Sequence, residues 1–354
     1  MATVSDESCG GAEQMLYVLE REMARRNCRT TVAACAGSEV AGTLLSTGSA
    51  ALSFDQLRER DAEHNARVLG FLREAEESGR PVSLVHDEGG RFWRHAAAVD
   101  VPVLVTLHLP RSFYAAELFE NIPGNVYFNC VSRTQAKSFA DLPRMSVVRN
   151  GIPLERFPFT AEKRDYLVWL GRICPEKGLH IAVEAARQAG MKLVIMGPSY
   201  LYERDRQYFE GEVAPRLTAA CEFIGSPSFA RKIEVLRHAR ALLMPSLAQE
   251  TSSLVCLEAM ACGTPAIAFR NGALPEVVLD GQTGFTAGST QAMVQAMHEL
   301  GTISPHACRE HVAANHSARR MADQYEQLYD LICAEETALA AEAATSFELE
   351  AAVR

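Results

Sequence analysis

Two glutamates eight residues apart, Glu250 and Glu258, mark the segment 249–268, QETSSLVCLEAMACGTPAIA. Leu254, Val255, Leu257 and Met260 make the run between them apolar almost all round, so Glu258 interrupts the pattern. A carboxylate inside such a helix is costly unless it is hydrogen-bonded or faces a cleft. It therefore binds either a neighbouring loop backbone or a ligand. A cationic pair stands earlier, Arg172 and Lys177 in LVWLGRICPEKG at 167–178. There an apolar strand-like run ends at Gly171, and Lys177-Gly178 opens a helix. Ligands of open parallel sheets gather beyond the carboxyl ends of the strands. A helix N-terminus adds unpaired N–H groups that favour an anion. Two cations at such a place suit a leaving group whose negative charge grows as a bond breaks; the plainer reading is two solvated surface charges.

The elements that must hold these residues follow from apolar patterning. Strand-like runs occur at 30–34, 81–86, 101–107, 125–131 and 145–148, with helical spacing at 12–27, 55–78, 91–98 and 132–140. After Asn150-Gly151-Ile152-Pro153 the alternation restarts, with strands at 166–170, 192–196, 222–224, 241–244 and 266–269 and helices between them. Such alternation predicts right-handed parallel crossovers and two doubly wound α/β sheets. Ser252 or Ser253 is the expected N-cap of the helix carrying Glu258, with Gly263 and Thr264-Pro265 as its stop. With the helix starting near Ser253, Glu258 lies roughly 7–8 Å along its axis, so the two glutamates touch different parts of one ligand. Helices over about 289–337 close the chain, and the Ala/Glu-rich tail is expected to fray.

The E-x7-E spacing resembles the signature of retaining glycosyltransferases of family four, and GRICPEKG resembles that family's G-R-x-x-x-x-K-G element, in the same order and about eighty residues apart. Membership implies a GT-B fold, two Rossmann-like domains facing a cleft. The expected domains are 1–150 on the acceptor side, 151–320 for the nucleotide sugar, and 321–354 as a final helix and tail, residues 321–332 crossing back to the first domain. The resemblance assigns Glu250 to the hydroxyls of the donor sugar and Glu258 to the ribose diol of the nucleotide. Amides of Ser252, Ser253, Leu254 and Val255 take phosphate oxygens beside Gly171, Arg172 and Lys177. Thr106-Leu107-His108 resembles the family's T-L-H, in which the histidine approaches the donor sugar. Gly10-Gly11 resembles its Gly-Gly loop near the diphosphate. Gly197 and Gly225 end strands of the second domain, where a glycine lets the backbone approach the nucleobase. His86-Asp87-Glu88 ends a strand and is weighed as an acceptor contact; Glu276 matches a family motif but equally suits a loop-holding role. The chain departs from the usual E-P-F-G-L-V: Thr251, Ser252 and Ser253 replace Pro, Phe and Gly, so the amides remain while Ser253 adds bulk and a hydroxyl near the sugar. Only nine residues precede Gly10, so the first strand of the expected sheet is a stub, and the expectation is a start further upstream or a damaged copy.

Composition bounds the rest. The chain has 354 residues, 48% of them hydrophobic, enough for two cores. A net charge of −9 argues against non-specific nucleic-acid binding. The first residues carry no basic and apolar leader, and no 18-residue apolar run offers a membrane span. Ten cysteines without a leader suit a reducing cytoplasm. His306, His311 and His316 rotate around a helix and are read as solvent-facing; no metal is expected. Arg21, Arg25, Arg26 and Arg29 are read as a solvated helix end, with contact to anionic lipid as the alternative. Paired carboxylates also suggest a glycoside hydrolase, but the adjacent cations fit a diphosphate leaving group better. A dehydrogenase lacks its G-x-G-x-x-G. The expected activity is transfer of a hexosyl group from a UDP- or GDP-type donor, without cofactor or metal; the alternative is a nucleotide-sugar binder that transfers nothing.

Overall fold

The computed structural model describes residues 3–8, 10–50, 54–198 and 202–352. The chain divides into two compact units. The first comprises Met1–Val131, Ala136–Val148 and Met321–Arg354, and the second Ser132–Gln135 and Arg149–Arg320.

In the first unit the strands are β1 (Thr31–Ala34), β2 (Thr43–Ser46), β3 (Val85–Asp87), β4 (Val103–Leu107), β5 (Val126–Cys130) and β6 (Met145–Val147). Every pairing is parallel. β4 and β5 are buried at every position, as expected of central strands covered on both faces. The expected single sheet is instead two hydrogen-bonded pieces, β1–β2 and β3–β4–β5–β6. Among the described residues no strand joins them, and Val4 spends its backbone on Ser38 Oγ (3.0 Å) and the Glu39 N–H (2.8 Å). The pieces still share a core, since Leu45 packs in one cluster with Phe92, Val103 and Phe128.

The helix Ala318–Ala352 contributes residues from Met321 onward to this unit. The hydroxyl of its buried Tyr325 lies 3.0 Å from Asn129 Nδ2 and 3.1 Å from Thr106 Oγ1. The expected fraying after about residue 335 gives way to continuous helix to Ala352, in keeping with the high helix propensity of alanine and glutamate. The basic cluster is largely neutralised: Arg25 and Arg26 pair with Glu22, and Arg26 also reaches Asp323 at 2.6 Å. Arg21 lies over the Tyr17 ring.

The second unit holds β7 (Tyr166–Leu170), β8 (Lys192–Met196), β9 (Cys221–Gly225), β10 (Ala241–Met244), β11 (Ala266–Phe269) and β12 (Gly284–Ala287). They form one parallel sheet in the order β12–β11–β10–β7–β8–β9. Strand order reverses between β7 and β10, which pair directly through Ala241–Leu167 and Leu242–Val168. The helix after β7, Leu179–Gln188, packs into one core cluster, and the helix after β10, Leu254–Ala261, into the other. With the two helices on opposite faces, a crevice opens above the carboxyl ends of β7 and β10, the place where doubly wound sheets take ligands.

His316 corrects the solvent-facing assignment. It lies just past the helix Pro305–Asn315 and is buried, its Nδ1 3.2 Å from the Asn150 carbonyl. His306 is exposed beside Phe159, and His311 is half-buried. Burial lowers the His316 pKa from its ordinary 6.5 to about 4. The unfolded chain thus takes up a proton between those values that the folded chain refuses, and stability falls as pH drops through the window. Denaturant unfolding near pH 5 should give a free energy about 2 kcal/mol below that near pH 7. His316→Gln should flatten this dependence; an unchanged slope means other groups cause it.

Candidate functional site

The loops after β7 and β10 interlock by backbone before any side chain is considered. The Glu176 carbonyl accepts from Ser246 Oγ (3.2 Å) and from the N–H of Leu247 (2.8 Å). Gly178, with φ +65°, caps the helix Leu179–Gln188, and a Cβ there would stand 2.1 Å from the Pro245 carbonyl oxygen. Gly197, at φ +145°, approaches as closely: a Cβ would meet the Gly171 carbonyl oxygen at 1.8 Å.

These loops bring Lys177 and Glu250 together. Lys177 Nζ donates to Glu250 Oε1 at 2.6 Å, and Ser246 Oγ lies 2.5 Å from the same oxygen. Glu250 is seated on a turn that sequence reasoning passed over. The Ala273 N–H donates to the Glu250 carbonyl at 2.6 Å, and Gly272, at φ +56°, lies against the Glu250 backbone. Arg172 leaves the same β7 loop but makes its described contacts elsewhere, with Cys174 and the charges of Asp205 and Glu176. Burial works against its charge; the hydrogen bond to Cys174 and the two carboxylates outweigh that, and its pKa is raised.

The helix Leu254–Ala261 starts as expected: Ser253 is the N-cap, its side chain accepting from the Cys256 N–H at 3.4 Å. Gly263, at φ +81°, ends it. Leu254 and Val255 open its first turn, whose amides have no partner within a helix. Glu258 is buried inside it. Its partner within the protein is a side chain rather than a loop backbone: Lys232 Nζ, from the helix Phe229–His238, lies 2.9 and 3.0 Å from its two oxygens. Sequence reasoning missed Lys232, and no local pattern marks it, because the pair exists only once two helices share a face. Removing one member strands a buried charge. Lys232→Ala should lower stability by about 3 kcal/mol, and adding Glu258→Gln should recover most of it; a Tm unchanged by Lys232→Ala would show the pair to be idle.

The Glu276 carboxylate accepts from the N–H of Thr134 (2.5 Å) and Arg133 (3.1 Å), away from the loop after Asn271-Gly272. Gly10 is the N-cap of the helix Gly11–Arg25. In the first unit, His108 follows β4 and its Nε2 lies 2.5 Å from Glu88 Oε2. Glu88 also stands 3.3 Å from His86. Burial opposes the Glu88 charge, but His86 and His108 prevail and its pKa is lowered. Among the described residues no three His, Cys, Asp or Glu side chains gather as a metal site, and no helix is long and apolar enough to cross a membrane.

Residues 153–310 match the family model of glycosyl transferases group 1. The matched segment contains Arg172, Lys177, Lys232, Glu250 and Glu258 and excludes His108. Among curated relatives, glycogen synthase of Mycobacterium tuberculosis is 33% identical over 156 residues, 40% of this chain and 36% of that protein. The D-inositol 3-phosphate glycosyltransferase of Mycolicibacterium smegmatis is 31% identical over 210 residues, 52% of this chain and 45% of that one. The chain thus spans less than half the length of either relative. Likeness of fold extends further. Sucrose-phosphate synthase from Thermosynechococcus elongatus superposes with a TM-score of 0.75 at 21% identity, covering 94% of this chain and 96% of that one. HepE of Anabaena in complex with UDP-glucose gives 0.70 at 16%, covering 91% and 96%. The two parallel-sheet units are those of the GT-B fold expected from the sequence.

Proposed function

We propose that this chain is a retaining, metal-independent glycosyltransferase that moves a hexosyl group from a UDP- or GDP-type sugar to a sugar, lipid or small-molecule acceptor in the cytoplasm. The observation that carries this reading is the 2.6 Å contact of Lys177 with Glu250 at the reversal of strand order, inside the group 1 segment. Lys177, Arg172 and the first-turn amides of the helix Leu254–Ala261 receive the diphosphate. Their charge counts for more as the glycosidic bond breaks, because the leaving oxygen then becomes more negative. Glu250 accepts hydroxyls of the transferred sugar. Glu258, its charge offset by Lys232, accepts the ribose diol. Gly171 and Gly197 keep the backbone beside the nucleotide free of side chains. His108 contacts a sugar hydroxyl. Retention follows a same-face displacement that needs no protein nucleophile.

The relatives favour a nucleotide-sugar donor, since HepE was solved with UDP and UDP-glucose. A panel of UDP- and GDP-sugars scored by thermal shift selects the donor, because binding raises stability by mass action. Release of nucleoside diphosphate that depends on an added acceptor, with the product's anomeric configuration kept, is the expected result. Calorimetric binding with no nucleoside diphosphate released from any acceptor tried would replace transfer by binding alone; inversion at the anomeric carbon would refute retention.

A further inference from the structure

The backbone of Glu250 is pinned on both sides of its Cα. Its N–H donates to the Ala248 carbonyl at 2.9 Å, and its carbonyl accepts from the Ala273 N–H at 2.6 Å. The side chain remains to be placed, and the last torsion of a glutamate has no strong preference of its own. Contacts must therefore orient the carboxylate. Lys177 Nζ and Ser246 Oγ both meet Oε1, at 2.6 and 2.5 Å, and no described residue bonds Oε2. Ser246 is wholly buried. Its hydroxyl has one proton for two acceptors, Glu250 Oε1 and the Glu176 carbonyl at 3.2 Å. Length decides between them. A hydroxyl donating to a carboxylate spans about 2.5–2.7 Å, whereas the Glu176 contact lies beyond the usual hydroxyl limit of about 3.0 Å. The proton favours Glu250, and the Glu176 carbonyl takes the weaker share. That carbonyl depends little on it, since the N–H groups of Leu247 (2.8 Å) and Ala248 (3.3 Å) also serve it.

We infer that Ser246 is a positioning residue: together with Lys177 it saturates Oε1 of Glu250 and leaves Oε2 as the oxygen that meets the ligand. A carboxylate oxygen offers two lone pairs and no proton. Oε2 therefore takes at most two hydroxyls, and it selects hydroxyl donors over phosphate oxygens. That these hydroxyls belong to the transferred sugar rests on the transfer reading above; the orientation of the carboxylate does not. Ser246, being buried, touches no substrate, so its effect on rate must pass through Glu250.

The test compares Ser246→Ala with the wild type in the full chain. The Leu247 and Ala248 bonds keep the two loops tied without the hydroxyl. Ser246→Ala should therefore stay folded and bind UDP or GDP by calorimetry as the wild type does. Its kcat should nevertheless fall about tenfold, the effect of one lost hydrogen bond to a charged group. Ser246→Cys, with a weakly donating thiol in the same place, should lie between the two. In a Glu250→Ala background the same Ser246→Ala change should cost less than about twofold. A tenfold loss in that background overturns the proposal, and so does a wild-type kcat in Ser246→Ala. Weakened nucleotide binding in Ser246→Ala also overturns it, by making the hydroxyl a tie between loops. Crystals of both proteins without donor give an arm independent of turnover. Wild type should show Oε1 bonded to Lys177 and Ser246 together, and Ser246→Ala a carboxylate that has rotated or taken two positions. An unmoved carboxylate overturns the proposal. If the wild type turns over no donor, the transfer reading fails, while the crystals still decide the orientation of Glu250.

Discussion

Lys177→Ala and Glu250→Ala should each lower turnover at least tenfold while the protein stays folded. The Lys177 ammonium and Glu250 carboxylate are 30% and 13% exposed, so breaking the pair should cost only about 1 kcal/mol of stability. Activity is a different matter. One preorganised charge aimed at a developing anion is worth about a hundredfold in rate, or about 2.7 kcal/mol of barrier. Because Lys177 and Ser246 both converge on Glu250 Oε1, losing Lys177 also loosens Glu250. The double variant should therefore lose less than the product of the single losses. Initial rates with saturating donor, set against melting curves of the same preparations, make the comparison. Wild-type rates in either single variant would mean that the site lies elsewhere.

The second unit was largely legible in sequence because its central strands are continuous apolar runs and its helices carry punctuation. β7, β8, β10 and β11 stand where their patterning places them, and Ser253 and Gly263 bound the helix as propensity dictates. What escaped were elements whose identity is conferred by neighbours. β2 is four residues in a polar stretch, and β12 is an edge strand opening on Gly284. β3 begins only at Val85 rather than at 81, where Pro81 has no N–H to offer a ladder. His316 was read with a helix that in fact stops at Asn315, so helical rotation no longer described it. Glu250 and Lys177 were visible as types and spacing. Lys232 and Gly272 were not, because their parts depend on distances that folding alone creates.

Gly272→Ala offers the sharpest separation of seat from chemistry. An added Cβ would lie 2.3 Å from the Glu250 carbonyl oxygen and 2.4 Å from its nitrogen, both backbone atoms with no rotamer to yield. The residue also holds φ at +56°, where a Cβ costs about 1–2 kcal/mol by itself. Relief must come from moving Glu250 away from Lys177 or from opening the 271–273 turn, which gives up the 2.6 Å bond from Ala273. Stability should fall by about 3 kcal/mol. Turnover in the fraction still folded should drop about a hundredfold, since displacing a catalytic group by about 1 Å has that effect. Gly281 is the internal control: it has φ +71°, and a Cβ added there would meet nothing within 4 Å. Gly281→Ala should carry the backbone penalty, about 1–2 kcal/mol, and leave turnover intact. Equal activity in the two variants would show that the 271–273 turn does not place Glu250.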